Sequence, residues 1–208
     1  MQKSQIVQAA LDVLDREGLE GVTLRRLATE LNVKAASIYW HIPSKERLLD
    51  EMANAILEKQ FGTFDFENDK LDWAEWLDTL AHELRRAMLR HREGARVVAG
   101  AHPDIAVMLI TLWDFTVRVL HNGGFSVGKA GVITVTMTNF TFGSVIEEQS
   151  SPPYAPGPPE MVSEMESIAQ RFQTLALAME SWMSEEAGAP FDTGVRIIIN
   201  GVRAEVKD

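Results

Sequence analysis

Residues 23–41 read TLRRLATELNVKAASIYWH, from Thr23 to His41, and the fold turns on how this stretch is read. Thr23 precedes the apolar set Leu24, Leu27, Ala28 and Leu31, and a threonine there can accept a hydrogen bond from the free N–H groups of a starting helix. The spacing predicts a helix of about two to three turns. After Asn32 and Val33, the run from Lys34 to His41 is again helix-compatible, with Ile38 and Ala35 on its apolar side. Upstream, Ile6, Ala10, Val13 and Leu14 recur at helical spacing and stop at Gly18, which predicts an amphipathic first helix closed by a glycine. Downstream, Pro43 blocks further helix and Ser44 can cap the next one, whose buried stripe is Leu48, Leu49, Met52, Ala55 and Ile56. Three helices ending by His41, the second and third short and joined by a tight turn, make a helix-turn-helix pattern.

The rest of the composition is that of a globular chain: 208 residues, 46% hydrophobic and 24% charged. The absence of cysteine removes disulfide frameworks, thiolate zinc sites and a cysteine nucleophile. The stretch from Ala130 to Ile146 is free of charge but carries Asn139, Ser144 and several threonines, shorter and wetter than the roughly 20 apolar residues of a membrane helix. No membrane span is expected, and the N-terminus lacks an export signal, so the expected location is cytoplasmic. The net charge of −10 argues against nucleic acid until it is located. Acidic and basic residues balance over residues 1–50, so the whole excess lies beyond residue 50. Between Thr23 and Arg47 the balance is positive, through Arg25, Arg26, Lys34, Lys45 and Arg47 against Glu30 and Glu46.

A helix-turn-helix places its last helix in the major groove, where side chains near its start reach base edges while flanking cations hold phosphates. Ser37 can bond a base or a phosphate, Tyr39 and His41 can bond phosphate oxygens, and Lys45 adds a cation. Ala35 and Ala36 offer only apolar contact, for instance with a thymine methyl. The residues alone leave a second reading open, in which the run is a packed helix with its aromatics in the core. Catalytic patterns are missing. His82-Glu83 opens like a zinc-protease helix, but Arg86 stands where the second histidine is required. No nucleophile elbow or phosphate-binding glycine loop occurs. Neither an enzyme nor a metal or other cofactor is expected.

The stretch from Gly21 to Ala28, continuing through Leu31, Asn32 and Val33 to Ser37–His41 and Lys45, resembles the DNA-binding domain of the TetR family of one-component repressors. Leu89–Val97, then Gly123–Ser126, then Phe140–Gln149 resemble the ligand-binding domain of the tetracycline repressor branch. The resemblance implies an all-α chain. A helix-turn-helix domain over residues 1–46 would be followed by a helical ligand-binding and dimerisation domain over residues 47–208. It implies that Arg25 and Ser37 contact operator bases or adjacent phosphates, and that Tyr39, Trp40, His41 and Lys45 anchor the DNA backbone. The partners implied are palindromic double-stranded operator DNA, a small-molecule effector and a second copy of the chain. Where the relatives read bases with a glutamine and a proline, this chain has Ala35 and Ala36, so the operator does not transfer.

Unaided, the body reads less clearly. Trp73, Trp76, Leu77, Leu80, Leu84, Ala87 and Met88 mark an amphipathic helix. Ile105 to Leu120 is apolar nearly all round and predicts a central, buried helix. Val135 to Phe142 alternates like a strand, and the resemblance alone makes it a core helix. The prolines between Ser150 and Met161 predict a loop. Stripes over 162–183 and 195–206 suit a four-helix bundle shared by two subunits. At positions matching the relatives' tetracycline and magnesium ligands stand Phe61, Leu80, Val98, Ala101 and His102, while Leu84, Pro103 and Glu147 remain compatible. Val98 and Ala101 offer a divalent cation no donor, so the expected effector is apolar or aromatic. His102 is either its polar handle or a histidine without a ligand role. A binding or scaffolding protein of the same fold without specific DNA binding is the alternative.

Overall fold

The computed structural model describes residues 2–150, 170–184 and 188–205. Among them lie ten α-helices and no strand: α1 (Lys3–Glu17), α2 (Leu24–Glu30), α3 (Ala35–His41), α4 (Lys45–Phe61), α5 (Trp73–Leu89), α6 (Gly94–Ala99), α7 (Val107–Asn122), α8 (Val127–Ser150), α9 (Gln173–Ser184) and α10 (Ala189–Glu205). The predicted caps form. Gly18 closes α1 at φ +77°, and its N–H donates to the Leu14 carbonyl at 2.8 Å. The Thr23 side chain accepts from the Arg26 N–H and that of Ser44 from the Arg47 N–H, each at 3.1 Å. Asp72, which the sequence reading passed over, caps α5 by accepting from the N–H groups of Ala74 and Glu75.

One continuous apolar core runs from Ile6, Leu27 and Ile38 through Leu48, Met52 and Ile56 to Leu80, Val98, Phe115 and Val145. A second cluster, around Leu77, Phe125, Met137, Phe191 and Val195, joins α5, α8 and α10. Helix α4 packs on α1 and on α5, α6 and α7. It therefore ties the first three helices to the body, and it runs unbroken past residue 46.

The strand-like stretch is helical, and the reason is visible. Its buried residues are Ala130, Ile133, Thr134, Met137, Thr138, Thr141, Phe142 and Val145, which repeat at helical spacing once threonine is counted as a core residue. Each buried hydroxyl donates to the carbonyl four residues back: Thr134 to Ala130 at 2.8 Å, Thr138 to Thr134 at 2.7 Å, Thr141 to Met137 at 2.9 Å. That bond satisfies the hydroxyl inside the helix itself.

Helix α7 departs from the expectation of a fully buried element. It begins at Val107, and Val107 and Ile110 are 61% and 44% exposed, because α7 packs on α4, α5 and α8 and its other face is uncovered in the single chain. The prolines from Pro152 to Pro159 and the stripe positions Met165, Ile168 and Ala169 lie outside the described residues.

Candidate nucleic-acid interface and effector chamber

The turn between α2 and α3 is built on Asn32 at φ +52°, a left-handed conformation that asparagine tolerates. The Val33 N–H donates to the Ala28 carbonyl at 2.9 Å, closing the end of α2. Ile38, fully buried, roots α3 in the core, while Ala36, Ser37, Tyr39 and Trp40 face outward. Trp40 is 82% and Tyr39 47% exposed, so these aromatics are not core residues and the packed-helix reading fails. The Trp40 ring meets His41 edge to face, with centroids 4.8 Å apart.

Ion pairing sorts the cations. Arg26 bonds Glu17 and Glu30 at 2.7 Å each, and Arg16 joins the same group at 3.0 Å from Glu30. The hydrogen bond from Arg26 holds the Glu17 carboxyl below its ordinary range. Arg47 pairs with Glu51 at 2.8 Å. Arg25 and Lys34, both exposed, carry no ion pair among the described residues. Lys45 reaches the Leu19 carbonyl at 3.4 Å. Arg25, Tyr39 and Lys45 share one shallow depression with Thr23, Leu24 and Ser44. Two cations, a phenol and two hydroxyls around one depression suit a phosphate. Ser37, Trp40 and His41 lie on α3 and do not line it.

In the body, Phe61, Leu80, Leu84 and Val98 are all within 3% of full burial and belong to one core cluster fed by α4, α5 and α6. Ala101 and Pro103 are half-buried, and Glu147 is exposed. His102 does not join the four apolar residues. Its side chain is 63% exposed, with Nδ1 3.2 Å from Asp50 Oδ1, and its backbone N–H donates to the same oxygen at 2.8 Å. Asp50, 2% exposed, sits on α4 with Ala53 and Leu57 in the buried stripe.

Sequence reasoning missed the contacts that hold the segments flanking α6 to α1, the Leu19 turn and α4. Beyond the C-terminal end of α6 is the Asp50–His102 contact. At its N-terminal end, Asp15 accepts from the Arg92 N–H and faces His91 Nδ1, both at 3.0 Å, and Glu93 accepts from the Leu19 N–H at 2.7 Å. Glu93 adopts φ +54°. Gln149 of α8 accepts from the Ala95 N–H at 3.0 Å and donates to the His91 carbonyl at 2.8 Å. Asn54 accepts from the Met108 N–H at 2.9 Å. A carboxylate at a core position of α4 was the available signal for Asp50. For Asp15, Glu93 and Gln149 the chain offers none, since their partners are backbone groups distant in sequence.

Two family models match the chain, the tetR family of bacterial regulatory proteins over residues 6–52 and the tetracyclin repressor-like C-terminal domain over residues 67–206. The class C tetracycline repressor protein of Escherichia coli is 34% identical over 204 residues, which is 97% of this chain and 90% of that protein. A crystal structure of a possible TetR family transcriptional regulator from Streptomyces coelicolor A3(2) superposes with a TM-score of 0.81 at 33% identity, covering 98% of this chain and 99% of the other. ActR from Streptomyces coelicolor, solved in complex with (S)-DNPA, gives 0.79 at 26% identity over 99% and 98% of the two chains.

Proposed function

This chain belongs to the TetR family of bacterial regulators, and from that premise we propose that it is a homodimeric repressor released from a palindromic operator by a small, largely apolar or aromatic effector. The observation that carries the reading is the outward α3 face beside the depression that gathers Arg25, Tyr39 and Lys45. Residues 1–46 form the reading head and residues 47–208 the effector and dimer body, acting in the cytoplasm where operator DNA lies. Arg25 and Ser37 contact bases or neighbouring phosphates, and Tyr39, Trp40, His41 and Lys45 hold the backbone. Two copies place their α3 helices about 34 to 36 Å apart for successive major grooves. The uncovered apolar side chains Val132 and Val135 on α8 and Ile197 on α10 supply the dimer face.

The effector chamber lies among Phe61, Leu80, Leu84 and Val98, with Pro103 at its edge. His102 serves it through Asp50 rather than through the ligand. Val98 sits within α6, and the segments flanking α6 are held to α4, to α1 and to the Leu19 turn beyond it. A ligand entering against Val98 moves those contacts and tilts the reading head through α4. Release requires tighter binding to the tilted state, and a factor of 100 corresponds to about 2.7 kcal/mol.

The test is fluorescence anisotropy of labelled DNA from upstream of the chain's own gene against a scrambled duplex, over a salt series. Tight, salt-sensitive and sequence-selective binding is expected. Weak binding, equal for both duplexes, would favour the scaffolding alternative, to which the outward Ala36 lends its one structural support.

A further inference from the structure

Among the described residues, two side-chain atoms are fully buried and without a hydrogen-bond partner: Gln60 Oε1 and Trp113 Nε1. One is an acceptor and the other a donor. The gap is specific to them, because the nearby indole of Trp76 donates to Thr116 Oγ1 at 3.0 Å. The orientation of Gln60 is fixed by its neighbour. Its Nε2 donates to Glu83, a carboxylate that also accepts from Arg86 and has no proton to offer in return, so Oε1 must face the other way. Helices α4 and α7 run side by side in the same direction. Asn54, past the middle of α4, accepts from Met108 at the start of α7, and just beyond the end of α4 the Phe64 ring lies 5.4 Å from that of Phe115. Gln60 and Trp113 therefore both lie between these two contacts, Gln60 next in sequence to Phe61 and its partner Glu83 next to Leu84. Trp113 packs on the cluster that holds Phe61, Leu80 and Val98.

A desolvated polar group left unbonded costs a folded chain more than a made bond returns. We propose that these two atoms are the polar contacts of the effector chamber. The effector is then a neutral aromatic molecule carrying a hydroxyl, its oxygen accepting from Trp113 Nε1 and its proton donated to Gln60 Oε1. This rests on the chamber proposed above and gives it a ligand chemistry. A carboxylate serves Gln60 poorly, having no proton to give, and an amine serves Trp113 poorly when protonated, so both are disfavoured.

The experiment uses the full chain and three probes of one skeleton: naphthalene, 2-methoxynaphthalene with an acceptor only, and 2-naphthol with both functions. Affinities are read by calorimetry and by quenching of tryptophan fluorescence. Each added function is expected to tighten binding about tenfold, equivalent to about 1.4 kcal/mol. Trp113→Phe abolishes the first step and Gln60→Met only the second. Equal binding of all three by the wild-type chain overturns the polar pair while leaving the chamber standing. No binding of any probe, in protein that still selects its operator, overturns the chamber as well. The wild-type series decides the matter even where a variant fails to fold.

Discussion

At the scale of single residues, the DNA face divides by task. Lys45 lines one depression with Arg25 and Tyr39, and in the proposed role of a backbone anchor its charge acts on phosphates whatever the sequence. Lys45→Ala should weaken binding to every duplex alike and lower the salt slope by about 1, measured by anisotropy at several salt concentrations. Ser37, outward on α3, should behave oppositely, with Ser37→Ala changing the preferred sequence while the slope holds. Asp50 is a different kind of residue. Its buried carboxylate is matched by the backbone and ring of His102, and Asp50→Ala removes that charged acceptor, at a cost of about 1.5–3 kcal/mol in urea denaturation. Unchanged stability would remove the residue from the contact that binds α4 to the segment after α6.

Among the elements, α8 is the one whose sequence contradicts its structure most plainly. Valines and threonines favour strands because their branched side chains restrict the helical rotamers. Burial reverses the outcome, and the back-bonded hydroxyls let threonine act as a valine with an internally satisfied oxygen. Thr138→Val should therefore leave stability within about 1 kcal/mol of the wild type, since the carbonyl it releases still serves the helix. A larger loss in denaturant titration would mean that the hydroxyl bonds something beyond Thr134. Helix α6 is only six residues long, yet its flanking segments meet α1 and the Leu19 turn at one end and α4 at the other. That makes it the element best placed to convert a contact at Val98 into a movement of α1 and α4.

Across the whole molecule, the uncovered apolar side chains on α8 and α10 call for a second copy. The double variant Val132→Glu with Ile197→Glu should give a monomer by sedimentation and lose operator affinity, because one reading head engages only one half-site. A dimer that survives both charges would move the interface elsewhere. Stability should also depend on pH through His82, which joins α5 to α10 by facing Asp192 at 3.1 Å and Asp78 at 3.5 Å. Partial burial opposes its charge, but the Asp78 carbonyl and the two carboxylates outweigh this and raise its pKa. A raised folded value means that the contribution is full below the ordinary histidine range and is lost as pH rises through the folded value. Melting temperatures taken between about pH 5 and 8 should fall with pH more steeply in the wild type than in His82→Gln. Parallel curves would exclude the ion pair.

The sequence by itself determined the reading head, the caps at Thr23 and Ser44, the glycine stop at Gly18 and the apolar stripe of α5. All of these rest on interactions within a few residues, where chain order and spatial order coincide. It also marked Phe61, Leu80, Leu84 and Val98 as a set through resemblance, and the fold buries them in one core. Only the tertiary structure decided that His102 serves Asp50, that Arg26 is spent on Glu17 and Glu30, that α8 is helical on its own terms, and that Gln60 and Trp113 are left with bonds to make. Each of those outcomes depends on groups brought together from distant parts of the chain, and on a burial that changes what a threonine, a carboxylate or an indole N–H needs.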